Sequence, residues 1–405
     1  MSHHSAPDAS DPSLSLPFDF QPRPRIVFGA DSVERVGELA KSLGAQNVLL
    51  VTDPGLVAAG HVKRVQKNLE AEGLRVTTFD HAAENPTTAC VDKCLKAAKA
   101  ADIDTIIGLG GGSSMDTAKG CNFLLTNGGR MQDYWGVGKA SKPMLPLIAI
   151  PTTAGTGSEC QSAALIADEK THQKMACLDP KAAPRIAILD PTLTLTQPFK
   201  VTACTGIDAL SHALETAVTK KRNPISTMFS REAFKLCITA LPQVLADPKD
   251  LSARGRMLLG AALAGMAIEN SMLGAAHAAA NPLTAEYGLV HGKAIGMMLP
   301  AVLRFNGAHP GSRKTYAALA AELETDPSFA GNGEVRGVEL LFSRVEHLLH
   351  LAKMPRSLKD CGVESKTIPR LAEAASKQWT ATFNPRTAGQ KDFEKIYQEA
   401  FDPRS

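Results

Sequence analysis

Asp104–Gly120, DTIIGLGGGSSMDTAKG, is the stretch from which the fold can be read. Thr105–Leu109 is a short apolar run of strand length, and Gly110, Gly111 and Gly112 end it before a pattern of small residues opens a helix. A helix entered through glycine leaves backbone N–H groups free at its start, where the helix dipole favours an anion. Glycine also lets a pyrophosphate approach the backbone closely. The GxGxxG fingerprint is absent, and the nearest strand-end acid, Asp53, precedes the glycines instead of following them.

Working outward, the same rhythm repeats on both sides. Ile26–Gly29 (IVFG), the helix Asp31–Gly44, Asn47–Asp53 (NVLLVTD), the helix His61–Gly73, Leu74–Asp80 and the helix Thr87–Ala101 alternate strand with helix. Asp31 reads as an N-cap and Gly44 as a stop. Two further strands follow, in IAIPTTAGTGSE (Ile148–Glu159) and RIAILDP (Arg185–Pro191). Such alternation predicts an α/β domain, a Rossmann-like parallel sheet with helices on both faces, over residues 18–195. Asp53 ends an apolar strand, where open α/β sheets bind ligands; it can accept from a ribose 2′-OH and would repel a 2′-phosphate, favouring NAD over NADP, or it can simply begin the turn Asp53-Pro54-Gly55. Thr152, Thr153 and Thr156 would offer hydroxyls to a cofactor, or form a hydroxyl-rich turn.

From residue 196 to 405 the pattern becomes helical throughout. Residues 1–17, MSHHSAPDASDPSLSLP, are rich in Ser, Pro, Asp and His, poor in large apolar residues, and read as a flexible tail. Within the helical half, Asp208 and His212 stand four apart in GIDALSHALE, so both project from one helix face. His277 and His291 lie 291 − 277 = 14 residues apart, with Pro282 and Gly288 between them to break the helix and return the chain. These four could converge on one divalent cation, and the nitrogen-rich set suits iron(II), zinc, cobalt or nickel over magnesium or calcium. Hydrogen-bonded core and cap histidines would give the same spacing.

Four motifs in order, GGGSSMDTAK (Gly110–Lys119), PTTAGTGSE (Pro151–Glu159), GIDALSHALE (Gly206–Glu215) and the GxxH…PLxxxYxxxHGxA pattern (Gly274–Ala294), resemble the iron-containing, group III alcohol dehydrogenases. The likeness runs from about Pro24 to the last helix. It implies a dehydroquinate-synthase-like architecture: the nucleotide-binding α/β domain followed by an all-helical metal-binding domain. By that resemblance Asp208, His212, His277 and His291 match the metal ligands, with iron(II) the first expectation and zinc the second. Gly111, Gly112 and Ser113 would contact the cofactor phosphates, Asp116 would lie near the nicotinamide, Asn85 near the adenosine, and Lys174 would reach the ribose. The implied reaction is hydride transfer between NAD(H) and a small primary alcohol or aldehyde whose oxygen coordinates the metal. A reductase of hydroxyacids, oxoacids or polyols in the same superfamily, or a non-catalytic NAD-binding protein, are the other readings. Many relatives carry a further His four residues after the third ligand; here it is Asn281, which cannot titrate, so no catalytic residue is expected beyond the metal centre. Ala163 and Ile268 stand where some relatives have Asn and Phe, which would widen the substrate pocket. A homodimer is the implied assembly.

Bulk properties agree with small-molecule chemistry. The 405 residues carry a net charge of +3 with acids and bases interspersed, 44% hydrophobic and 21% charged residues, so nothing invites nucleic acid. No run of about 18 apolar residues predicts a membrane span. Eight scattered cysteines without a CxxC pair point to reduced thiols and a cytoplasmic protein.

Overall fold

The computed structural model describes residues 17–171, 173–323 and 333–403, so residues 1–16 of the expected tail lie outside it. Six parallel strands, β1 (Arg25–Phe28), β2 (Asn47–Val51), β3 (Arg75–Phe79), β4 (Thr105–Gly110), β6 (Leu147–Pro151) and β9 (Ile186–Leu189), form one sheet in the order β1-β9-β6-β4-β2-β3. The remaining strands, β5 (Gly136–Val137), β7 (Ala163–Ala167) and β8 (Lys174–Leu178), make a small mixed sheet in the order β5-β8-β7 that the alternating pattern did not announce.

Side chains of each strand alternate between two apolar clusters, as a sheet covered on both faces requires. Leu50, Ile107 and Ile148 pack with Val36 and Leu39 of α1 (Val36–Ser42) and Val65 and Leu69 of α3 (His61–Ala71). Leu49, Val51 and Ile106 face the other way, onto Cys94 of α4 (Thr88–Lys99) and Ala118 and Cys121 of α5 (Gly112–Asn127). The short α2 (Pro54–Ala58) is started by Asp53, whose carboxylate accepts from Gly55 N at 2.9 Å and Leu56 N at 3.2 Å. Thr87 caps α4 through Cys90 N. Asp31 does not cap a helix: it has a left-handed φ of 60°, the turn after it is a 3₁₀ turn over Ser32–Arg35, and its carboxylate pairs instead with Arg64 at 2.6 Å. Gly44, at φ 88°, is the stop its position suggested. Strand order reverses between β2 and β4, so the glycine-rich turn after β4 opens at the carboxyl-end crevice where doubly wound sheets take ligands.

Beyond β9 every described element is helical: α6 (Phe199–Thr216), α7 (Pro224–Ala246), α8 (Leu251–Ser271), α9 (Ala275–Tyr287), α10 (His291–Gly307), α11 (Pro310–Ala321), α12 (Gly333–Leu351), α13 (Ile368–Ser376) and α14 (Gln390–Phe401), with short 3₁₀ turns between. From Thr202 to Thr216, α6 is buried almost all round, which fits a central helix surrounded by α7, α8 and α10. Pro282 does not break the chain as its position suggested. It sits inside α9, which continues to Tyr287 and ends at Gly288 with a left-handed φ of 61°. Only Gly288 makes the return. No single helix among the described residues is long and apolar enough to cross a membrane; α8 and α9 qualify only as a pair bent by 104°, and most of their residues are buried in the helical core.

Candidate functional site

The four sequence-predicted ligands meet at one point. α6 presents Asp208 and His212 one turn apart, α9 contributes His277 from its first turn, and His291 is the first residue of α10. Asp208 Oδ1 lies 3.4 Å from His212 Nε2, 3.5 Å from His277 Nε2 and 3.9 Å from His291 Nε2. His212 Nε2 and His277 Nε2 are 3.0 Å apart. The donor atoms of Asp208, His277 and His291 lie within 4.8 Å of one another. His291 is the exposed member, at 27% of its side chain, and the other three are buried.

This donor set fits a divalent transition cation. Asp208 Oδ1 is buried without a hydrogen-bond partner among the described residues although three imidazole nitrogens surround it, an arrangement expensive for a carboxylate unless a cation satisfies it. Burial raises the Asp208 carboxyl, but the three imidazoles outweigh it and hold the group below the ordinary carboxylate range. His291 shows only an edge to the cleft, and burial of the rest of the ring pushes it down to about 3, so the imidazole is neutral and one ring nitrogen keeps a free lone pair. At His277 burial opposes a charge, yet the carboxylates of Glu215 and Asp208 prevail and raise it to about 9. Three nitrogens and one oxygen around a locally negative point suit iron(II) or zinc.

Glu215 was not singled out from sequence. Its Oε1 accepts from Gly274 N at 3.2 Å and Ala276 N at 2.8 Å, capping α9, while Oε2 accepts from His277 Nδ1. A carboxylate can only accept, so Nδ1 carries the proton and Nε2 is turned toward Asp208. The signal was available: Asp208, His212 and Glu215 stand at i, i+4 and i+7, on one face of α6.

The cluster forms part of the wall of a cleft of about 470 Å³ between sheet and helices. Opposite stand Gly111, Gly112 and Ser113 at the start of α5, with Asn85, Asp116, Thr153 and Thr156. Lys174, Ala163 and Ile268 complete the set of predicted residues that reach it. Asp53 and Thr152 are not among the residues that line this cleft. The Asp53 carboxylate is engaged by its own helix, and Thr152 is buried, its carbonyl accepting from Gln197 Nε2. Asn281 is turned away as well, donating to Gln378 Oε1 at 3.1 Å.

Beneath the α5 wall lies a buried ionic group. Lys119 Nζ donates to Ser158 O, Ser158 Oγ and Ala163 O at 2.7, 2.8 and 3.0 Å, and Ser158 Oγ donates to Asp116 Oδ1 at 3.0 Å. Burial raises both Asp116 and, next door, Glu159, the latter to about 7 against an ordinary 4.5. Between those two values the native state keeps a proton that the unfolded chain releases, so stability falls as pH rises through this window. Glu159→Gln is therefore expected to raise the urea midpoint at pH 8, worth up to about 3 kcal/mol, with the gain vanishing below about pH 4.5. Melts across that range check it, and an equal gain at all pH values would contradict it.

Residues 22–191 match the family model described as iron-containing alcohol dehydrogenase, and residues 202–401 match that of the Fe-containing alcohol dehydrogenase family, C-terminal. The chain is 35% identical over 377 residues to the NAD-dependent methanol dehydrogenase of Bacillus methanolicus, covering 93% of this chain and 98% of that protein. It is 32% identical over 376 residues to the lactaldehyde reductase of Escherichia coli strain K12, covering 92% and 97%. Among solved structures it resembles a 1,3-propanediol oxidoreductase at a TM-score of 0.92 and 32% identity, covering 95% of this chain and all of the other.

Proposed function

The chain belongs to the iron-containing alcohol dehydrogenase family, and from that premise we propose that it transfers a hydride between NAD(H) and a small primary alcohol or aldehyde at a divalent metal held by Asp208, His212, His277 and His291. The observation that carries this reading is the convergence of Asp208 Oδ1 with three imidazole nitrogens on a cleft whose facing wall is the open start of α5. Family membership makes the activity that of an oxidoreductase on alcohols; the named relatives act on methanol and lactaldehyde.

Each group has a task that follows from its surroundings. Gly111, Gly112 and Ser113 would cradle the cofactor phosphates with α5's free N–H groups, and a Cβ on Gly112 would come within 2.9 Å of Thr156 Cγ2, so glycine keeps that approach open. Asp116, Thr153, Thr156 and Lys174 would place the ribose and nicotinamide portions, and Asn85 the adenosine side. When bound, the cation would supply Lewis acidity that acidifies an alcohol or polarises an aldehyde, and NAD(H) would accept or return the hydride. Iron(II) is the metal we favour, with zinc the alternative the donors also accept. Asn281, bonded to Gln378 and off the cleft, passes no proton. The half-exposed Phe28 on edge strand β1 lies where a homodimer would pair.

The direct experiment loads metal-stripped protein separately with iron(II) and zinc and follows NADH formation over a panel of short alcohols. Turnover that requires metal is expected. NAD binding with no metal-dependent turnover of any alcohol or aldehyde would overturn the reading.

Glu215→Gln probes the ligand geometry itself. A glutamine amide can keep accepting from Ala276 N but meets His277 Nδ1 with its own N–H, forcing the imidazole proton onto Nε2, the atom that should bind metal. Metal affinity is expected to fall about 10- to 100-fold, read by chelator competition on the folded variant. Unchanged affinity would show that Glu215 serves only the helix cap.

A further inference from the structure

We propose that Gln161 determines specificity: its side-chain carbonyl oxygen accepts a hydrogen bond from a second hydroxyl of the substrate, so the preferred substrates are short diols and hydroxyaldehydes. This rests on the alcohol dehydrogenase reading given above.

Gln161 follows the 3₁₀ turn Ser158–Cys160 and lies half-buried on the wall of the same cleft as Asp208 and His277. Its Nε2 donates to Thr156 O at 2.7 Å. A backbone carbonyl can only accept, so the amide cannot be the other way round, and Oε1 is left as the acceptor with no protein hydrogen bond among the described residues. Ala163, Leu165, Ile268 and Leu273 supply the apolar part of the same cleft, whose other polar side chains include the hydroxyls of Thr156, Ser158 and Thr205. A monofunctional alcohol lying against Gln161 leaves the carbonyl unpaired once water is expelled, whereas a short substrate with a second hydroxyl can satisfy it.

The acceptor is held by a rigid mount. Lys119 Nζ binds Ser158 and Ala163 on either side of Gln161. Ser162 N donates to Glu269 Oε2 at 2.9 Å, tying the loop to α8. The backbones of Gly157 and Gly265 touch so closely that a Cβ on Gly265 would lie 2.3 Å from Gly157 O. Gln161 N donates to Ser158 O at 3.2 Å, which fixes the base of the side chain too. A fixed carbonyl costs little to order on binding and discriminates between partners instead of following them.

The test compares metal-loaded parent and Gln161→Met, which keeps length and removes the acceptor. It measures kcat/KM on 1,3-propanediol and 1-propanol, and the Kd for NADH by fluorescence. The parent is expected to favour the diol about tenfold, the variant to lose that preference while keeping its rate on 1-propanol, and NADH affinity to stay unchanged. A parent that oxidises 1-propanol as well as the diol overturns the inference and leaves the dehydrogenase reading intact. A variant that loses both alcohols in proportion, with weaker NADH binding, also overturns it, because the carbonyl then serves the nicotinamide amide. Failure of the parent on both compounds while other alcohols of the panel are turned over overturns this inference alone; failure across the whole panel sinks the dehydrogenase reading and this inference with it.

Discussion

Asp208→Asn is expected to yield a folded protein that binds NADH normally, retains almost no divalent metal after dialysis and has lost nearly all NAD-linked turnover. Asp208 is the single anion inside a ring of three imidazoles, and its Oδ1 is the atom to which all three Nε2 atoms are nearest in common, at 3.4–3.9 Å. Asparagine replaces the charge with an amide whose N–H groups donate to those same nitrogens. The lone pairs that should hold a cation become hydrogen-bond acceptors, so the loss of affinity should exceed the roughly 10- to 100-fold cost of removing an outer supporting bond. Metal analysis by mass spectrometry and NADH titration separate the two halves of the cleft. Full metal retention with turnover near the parent's would remove Asp208 from the ligand set.

Gly292→Ala should damage fold and site together. A Cβ at 292 would lie 2.2 Å from Cys204 O and 2.6 Å from its carbonyl carbon, and both are backbone atoms of the central helix α6, which has no room to move. α10 must therefore tilt away from α6, carrying its first residue, His291, off Asp208. The expected cost is about 3 kcal/mol or more of stability, the upper end for overpacking, with a parallel loss of metal affinity. Gly307→Ala, at the far end of the same helix, is the matched control. Its nearest neighbour would be Phe342 Cζ at 3.4 Å, an ordinary contact, so urea midpoint and metal binding should stay near the parent's. Equal behaviour of the two variants would mean that the α6–α10 approach is not what places His291.

The sheet and the ligand set were legible because both are written in local patterns. An apolar run, three glycines and a helix at Asp104–Gly120 need no distant information to be read. The i, i+4 spacing of Asp208 and His212 survives because α6 is a regular helix. Pro282 and Asp31 were misread because tertiary packing overrides local preference. α9 tolerates one missing N–H, and Asp31 finds Arg64, 33 residues away, more rewarding than a helix terminus. The spacing within α6 puts Glu215 on the ligand face, but its role as partner of His277 depends on where α9 lands, 59 residues later, which that spacing does not disclose. The same holds for Asn281, whose amide partner, Gln378, is 97 residues away. β5, at two residues, was too short to register as a strand, while β7 and β8, at five residues each, form an antiparallel pair outside the alternation of strand and helix that marks the main sheet.

The pairing of β1 with β9 sets a timetable for synthesis. Arg25 aligns with Ile186, so β1 must wait for 186 − 25 = 161 further residues before β9, its sheet neighbour among the described residues, exists. At roughly 5–20 residues per second that is a delay on the order of ten seconds or more, during which the four strands β2, β3, β4 and β6 can already stack around the glycine-rich turn. A nascent chain halted just short of Ile186 would hold four adjoining strands with β6 as a raw edge, and β1 would remain outside the assembly until translation resumed.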